Sequence, residues 1–235
     1  MHILLADETN RTPGKDAKFF IYGGLLFSLD KLDELDIEIE RIRTSAGYRA
    51  GDEFKFDTRS RPSHVSSDKS TIAKRQVIDL CLNVGCKFIA HVILHEIIKN
   101  QDQEQQVQLA ADHVISRFNQ YLMESNSTGI CVVDNLPGKY QFKYLSDKYS
   151  FGSTISSEQM IRLDRIKLFA ASCSNASNVS SAMDIVLGCF RYCINNPRNP
   201  EAAKVMMKNV MNLMWHERKG EDIHTIGKGL ILTDS

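Results

Sequence analysis

The chain has 235 residues, 43% hydrophobic and 25% charged, with 29 basic and 29 acidic side chains and a formal net charge of zero. This length and composition suit one large α/β domain with a sizeable core, and exclude a low-complexity or disordered chain. Zero net charge excludes a global field drawing the protein onto nucleic acid or anionic membrane, so any such contact must come from a local patch or from bound metal ions.

His2 to Ala6 reads as a buried strand that meets acid at Asp7, and Phe19 to Phe27 as a second strand. A polar turn with Pro13-Gly14 joins them, which predicts an antiparallel pair. Leu32, Leu35, Ile39 and Ile42 recur at helical spacing over Leu29 to Ile42, before Gly47. A polar segment carries Glu53-Phe54-Lys55-Phe56, and Ser67 or Asp68 then caps a helix over Ile72 to Val84. Lys87 to Leu94 is a core strand, Gln103 to Glu124 a long helix covering the sheet, and Ile130 to Val133 another strand. There follow a helix or loop near Lys139 to Tyr149, a strand at Ile166 to Ala171 and a helix from Ser180 to Ile194. Glu201 to His216 is a further helix, and Gly229 to Leu232 an edge strand or a tail.

Strands alternating with helices after an initial hairpin predict a mixed sheet flanked by helices. We read a single domain over 1–235, with 198–235 as a C-terminal helical extension. The first residues have no basic leader, and no uncharged apolar stretch reaches the roughly 18 residues needed to span a bilayer. The expectation is a soluble, cytoplasmic protein without a membrane partner. Six cysteines without a C-x-x-C pair fit free thiols in a reducing compartment. Cys189 and Cys193 share a helix face, as small buried hydrophobes commonly do.

The informative residues are carboxylates. Asp7 and Glu8 follow the first strand and Asp134 follows Cys131-Val132-Val133, so these acids arrive at carboxyl ends of core strands, where open α/β sheets build their sites. Any one alone reads as a turn acid or cap. Asp184 lies among apolar and small neighbours on its helix, and a desolvated carboxylate there needs a cation, hydrogen bonds or a metal. Glu53 and Lys55 share a face if their segment is extended, within reach of a single phosphate. Acids converging from separate elements would repel one another unless Mg2+ or Mn2+ neutralised them, and two such ions can activate a water and clamp a phosphate.

Strand-Asp7-Glu8-Thr9, then FIYGGLLF, then Glu53-x-Lys55, then strand-Asp134, then Asp184 on a small-residue helix resembles the domain of unknown function 3800 family over roughly Ile3 to Asn195. That family is regarded as ribonuclease H-like. The resemblance implies a metal-dependent phosphodiesterase, a nuclease on DNA or RNA, in bacterial defence or mobile-element settings. It implies Asp7, Glu53, Asp134 and Asp184 as metal ligands, Glu8 as an accessory ligand and Lys55 as a phosphate contact. Thr9-Asn10 stand where the family usually has Ser-Gly.

Lys139, Lys143 and Lys148, interleaved with Tyr140, Phe142, Tyr144, Tyr149 and Phe151, form a candidate surface for nucleic acid. Glu53-x-Lys55 also suits restriction-endonuclease-like enzymes, but the upstream Asp33 and Asp36 lie in a helix where that core wants a strand acid. His91, His95 and Glu96 could suggest zinc, without the spacing of a helical zinc motif. The non-enzymatic alternative is a ribonuclease H-like scaffold acting as a protein-interaction subunit. The methionines of the 201–216 helix suit core packing, or an interface with a protein partner or a second copy of the chain.

Overall fold

A computed structural model describes residues 1–14, 17–100, 102–134, 141–156, 159–173, 177–196, 199–219 and 222–233. The first strands and helices run β1 (His2–Thr9), β2 (Phe19–Ser28), α1 (Leu32–Ser45), α2 (Ser67–Asn83), β3 (Lys87–Leu94), α3 (His95–Ile98), α4 (Gln103–Glu124) and β4 (Gly129–Asp134). The chain continues through α5 (Gln141–Phe151), β5 (Ser153–Ser156), β6 (Gln159–Ile161), β7 (Ile166–Ser172), α6 (Asn178–Asn195), α7 (Pro200–Leu213), β8 (Glu217–Lys219), β9 (Asp222–His224) and β10 (Leu230–Thr233).

Six strands form the central sheet in the order β10-β3-β2-β1-β4-β7. β2 is antiparallel to both β1 and β3, as the turn at Pro13-Gly14 predicts for the first pair, while β4 runs parallel to β1 and β7 parallel to β4. The expected mixed sheet flanked by helices is therefore the architecture observed. Alternation along β1 and β2 sends Ile3, Ile21 and Leu25 into a core shared with α1, α2, α6 and α7. Leu4, Phe20 and Leu26 point the other way, into a core shared with α4 and α5. With both faces covered, the central strands read as continuous apolar runs.

The limits of β3 and α4 match the sequence reading. α1 begins three residues later than expected, because Leu29–Lys31 forms a short 3-10 turn first. The cap of α2 is Ser66, whose side chain accepts from the Lys69 amide. The segment from 198 onward differs from a helical extension. After α7 and the β8-β9 hairpin, β10 pairs parallel to β3 and extends the central sheet as an edge strand, with Ile231 buried and Leu232 exposed. The β5-β6 hairpin was not anticipated from the sequence, its strands being too short to show periodicity. Among the described residues no helix is long and apolar enough to cross a membrane, and the six cysteines are free thiols.

Candidate active site

β1 and β4 lie side by side and point the same way, with Ala6 opposite Val133. Asp7 and Asp134 follow these partners. They share a face with Leu5 and Val132, on strands about 4.8 Å apart, so two carboxylates meet at the carboxyl edge of the sheet. β7 places Ser172 opposite Asp134.

α6 covers this edge. Its start is fixed by a capping box in which the Ser177 side chain accepts from the Ser180 amide and Ser180 from Ser177. Close packing of α6 depends on two glycines. Gly23 is Asp7's partner on β2, and a Cβ there would come within 2.9 Å of Leu187 Cδ1 and Phe88 Cζ. Gly188 meets the Phe56 side chain so closely that a Cβ would overlap it. Asp184 sits one turn earlier on the same face of α6, which brings its carboxylate over the sheet edge. Asp7, Asp134 and Asp184 line a cavity of about 50 Å³ with Ser172, Ser177 and Ser180.

Electrostatics show that the three acids share one environment. Burial, then Asp134 and Asp184, push the Asp7 carboxyl up to about 7, against the opposing charges of Arg11 and Lys55. Asp184 is also raised, chiefly by burial, and is held back by the Phe56 amide, which donates to Oδ2 at 2.6 Å, and by Lys55, Arg191 and Lys74. Such a group of hard oxygen donors is of the chemical type that suits Mg2+ or Mn2+. Among the described residues no three carboxylate, imidazole or thiol groups form a ready-made metal cage.

The other expected site residues lie further out. Glu8 follows Asp7 by one position and therefore faces the opposite side of the sheet, where it is buried and ion-paired with Arg11. Its Oε2 has no hydrogen-bond partner among the described residues. This placement does not support Glu8 as an accessory ligand beside Asp7. Glu53 is half exposed, with Oε1 3.5 Å from Lys55 Nζ, and the charges acting most on Asp7 and Asp184 do not include it. Lys55 does act on both aspartates, so its charge reaches the site although its side chain does not line the cavity.

The candidate nucleic-acid surface changes character. Lys148 is buried, donating at 2.7 Å to Asp112, whose other oxygen accepts from Tyr144 at 2.5 Å. That network ties α5 to α4 and leaves Lys148 no role as a phosphate contact on the surface, a correction that the sequence could not supply because Asp112 is 36 residues away. Lys143 is exposed and pairs with Asp147 one turn on, and Phe142, Tyr149 and Phe151 are exposed beside it. Lys139 lies outside the described residues, as does Tyr140. His91 is fully buried, hydrogen-bonded to Thr233 Oγ1 at 2.8 Å, and its pKa falls to about 3 through burial, so it is a neutral core group.

Sequence reasoning missed Arg11, Lys74 and Arg191, whose charges reach the aspartates only through the fold. It also missed how Asn10 works. Asn10 has φ +60°, in the left-handed region where glycine is favoured and asparagine is among the best-tolerated alternatives, and its amide donates to Phe19 O at 3.1 Å. Asn10 thus makes the turn that a glycine would make.

No family model matches the chain, and none of the curated proteins matches it. The resemblance to the domain of unknown function 3800 family therefore rests on its motifs. Among solved structures, the chain is similar to Bst-RNase HIII in complex with Mn2+, with a TM-score of 0.46 and 10% identity over 83% of this chain and 53% of that one. It is similar also to a glutamine-to-alanine mutant of Bst-RNase HIII, with a TM-score of 0.45 and 12% identity over 86% and 54%. The chain spans about half the length of these proteins.

Proposed function

We propose that the protein is a divalent-metal-dependent phosphodiesterase with a ribonuclease H-like site, acting as a nuclease on DNA or RNA and related to the domain of unknown function 3800 family. One observation carries the reading: Asp7 and Asp134, each just past the last paired residues of adjacent parallel strands, line one cavity with Asp184 of the helix packed over them, and burial together with the neighbouring carboxylates raises the Asp7 pKa to about 7. A purely structural cluster of this kind destabilises the fold, whereas a cation-binding site uses it.

Asp7, Asp134 and Asp184 would hold the ions. When bound, Mg2+ or Mn2+ supplies an activated water and neutralises charge at the scissile phosphate. The Lys55 ammonium, lying near both Asp7 and Asp184, meets a phosphate oxygen as a compact point charge. Leu5, Val132 and Met183 wall the cavity with apolar surface and limit water to its open side. The Phe56 amide fixes the Asp184 carboxylate, so its orientation is set before any ion arrives.

Calorimetric titration of Mn2+ and Mg2+ tests the reading, comparing wild type with Asp134→Asn and Asp184→Asn. Binding that both substitutions weaken, followed by metal-dependent cleavage in a screen of DNA and RNA, is the expected result. Absence of ion binding to the wild type, even with nucleic acid present, would overturn it in favour of the interaction scaffold.

A further inference from the structure

A second, larger cavity of about 370 Å³ opens next to the aspartates, between α2, α6 and α7 and the segment carrying Phe56. Its volume falls within the range of small-molecule sites, roughly 300 to 1,000 Å³. Phe56 joins the two cavities. Its amide donates to Asp184 on the one side, and its ring lines the larger cavity on the other.

The lining combines two aromatic rings with three cations. Phe56 and Tyr192 lie 6.3 Å apart at 53°, and Arg191 Cζ stands 6.0 Å from the centre of the Phe56 ring. Lys74 is buried, donates to Phe56 O at 2.9 Å and keeps its remaining N–H groups for another acceptor. Arg75 and Arg191 make no close salt bridge among the described residues, although the Arg191 charge is felt by Asp57 and Asp184. The one acid in the lining, Asp57, is already engaged by Arg59 at 2.8 Å. The cavity therefore carries surplus positive charge next to flat apolar surface, with Ile78 and Met206 adding to the apolar lining. In a protein with no net charge, such a local patch is where an anion would be drawn.

We propose that this cavity is a nucleotide subsite, which takes one base of a single-stranded nucleic acid against Phe56 and Tyr192 and its phosphate against Arg191, Arg75 and Lys74. The proposal rests on the nuclease reading, since it places this nucleotide next to the one whose phosphate lies at Asp7, Asp134 and Asp184. Base stacking on aromatic rings together with cationic contact to the backbone is the chemistry by which single strands are held irrespective of sequence.

The test is performed without metal, so that the aspartates do not hold the strand. Fluorescein-labelled tetrathymidylate is titrated with the whole protein in EDTA at low salt and followed by anisotropy, with unlabelled thymidine monophosphate as competitor. Arg75→Glu, on an exposed position of α2, and Arg191→Gln are each expected to weaken strand binding by about tenfold or more. Arg75→Glu should leave the calorimetric Mn2+ affinity as in wild type. Wild-type affinity for the strand in both variants would overturn the subsite, as would a wild type that binds Mn2+ but no tetrathymidylate. Thymidine monophosphate competing as tightly as the strand binds would also overturn it, by marking a site for free nucleotide. Failure of the nuclease reading itself shows separately, as loss of Mn2+ binding by the wild type.

Discussion

The backbone amide of Phe56 donates a hydrogen bond of 2.6 Å to Asp184 Oδ2, across 128 residues of sequence. This single contact ties an irregular loop to the helix that completes the aspartate group. The loop is itself held by Lys74, bonded to Phe56 O, and by Gly188, against which the Phe56 ring and Cβ are seated.

Gly188→Ala tests that seat. Alanine is the better helix former by about 1 kcal/mol, but its methyl would overlap Phe56. Overpacking of this kind costs about 1 to 3 kcal/mol, so steric conflict wins. The variant should unfold at lower urea than wild type and bind Mn2+ more weakly, because displaced Phe56 releases Asp184. Unchanged stability together with unchanged Mn2+ affinity would show that the loop is not seated in this way.

Asp7 gives a prediction in pH. Its carboxyl is raised from the ordinary 3.8 to about 7, so between these values the folded state binds more protons than the unfolded one. Stability is then present at low pH and lost as pH rises through the window, by up to about tenfold in the folding equilibrium per pH unit. In EDTA, Asp7→Asn should raise the melting temperature at pH 8 and give little advantage at pH 4.5. An equal effect at both values would contradict the shared charge of the cluster.

Glu8 and Asp134 should behave oppositely toward metal. Asp134→Asn removes a carboxylate from the site and should weaken Mn2+ binding severely. Glu8→Gln alters a group on the other face of the sheet, already paired with Arg11, and should leave Mn2+ affinity within about twofold, a difference under 0.5 kcal/mol. Calorimetry on the two variants side by side decides this, and a comparable loss in both would return Glu8 to the ligand set.

Lys148 and Lys143 separate structural from exposed charge. Lys148→Ala leaves Asp112 buried beside Tyr144 with no cation, a loss of about 3 kcal/mol when one partner of a buried pair is removed. Lys143→Ala breaks only an exposed pair on one helix face, worth about 0.3 to 0.5 kcal/mol. Urea denaturation of both variants should therefore show a large fall in midpoint for the first and almost none for the second.

The sequence by itself determined the elements whose residues lie next to one another. The buried apolar runs of β1, β2 and β3 and the helical period of α4 are local patterns, and each folded over the span they set or close to it. The same locality made Asp7 and Asp134 legible, since each directly follows a buried apolar run. What only the tertiary structure decided are pairings that no spacing encodes. Asp184 reaches Phe56, Lys148 reaches Asp112, and β10 finds β3, each across long stretches of chain. The placement of Glu8 has a related origin: adjacent residues on a strand face opposite sides, and only the packed sheet shows which side each acid takes. The charge of the aspartate group is likewise a property of the fold, because repulsion becomes strong only where burial strips the carboxylates of water.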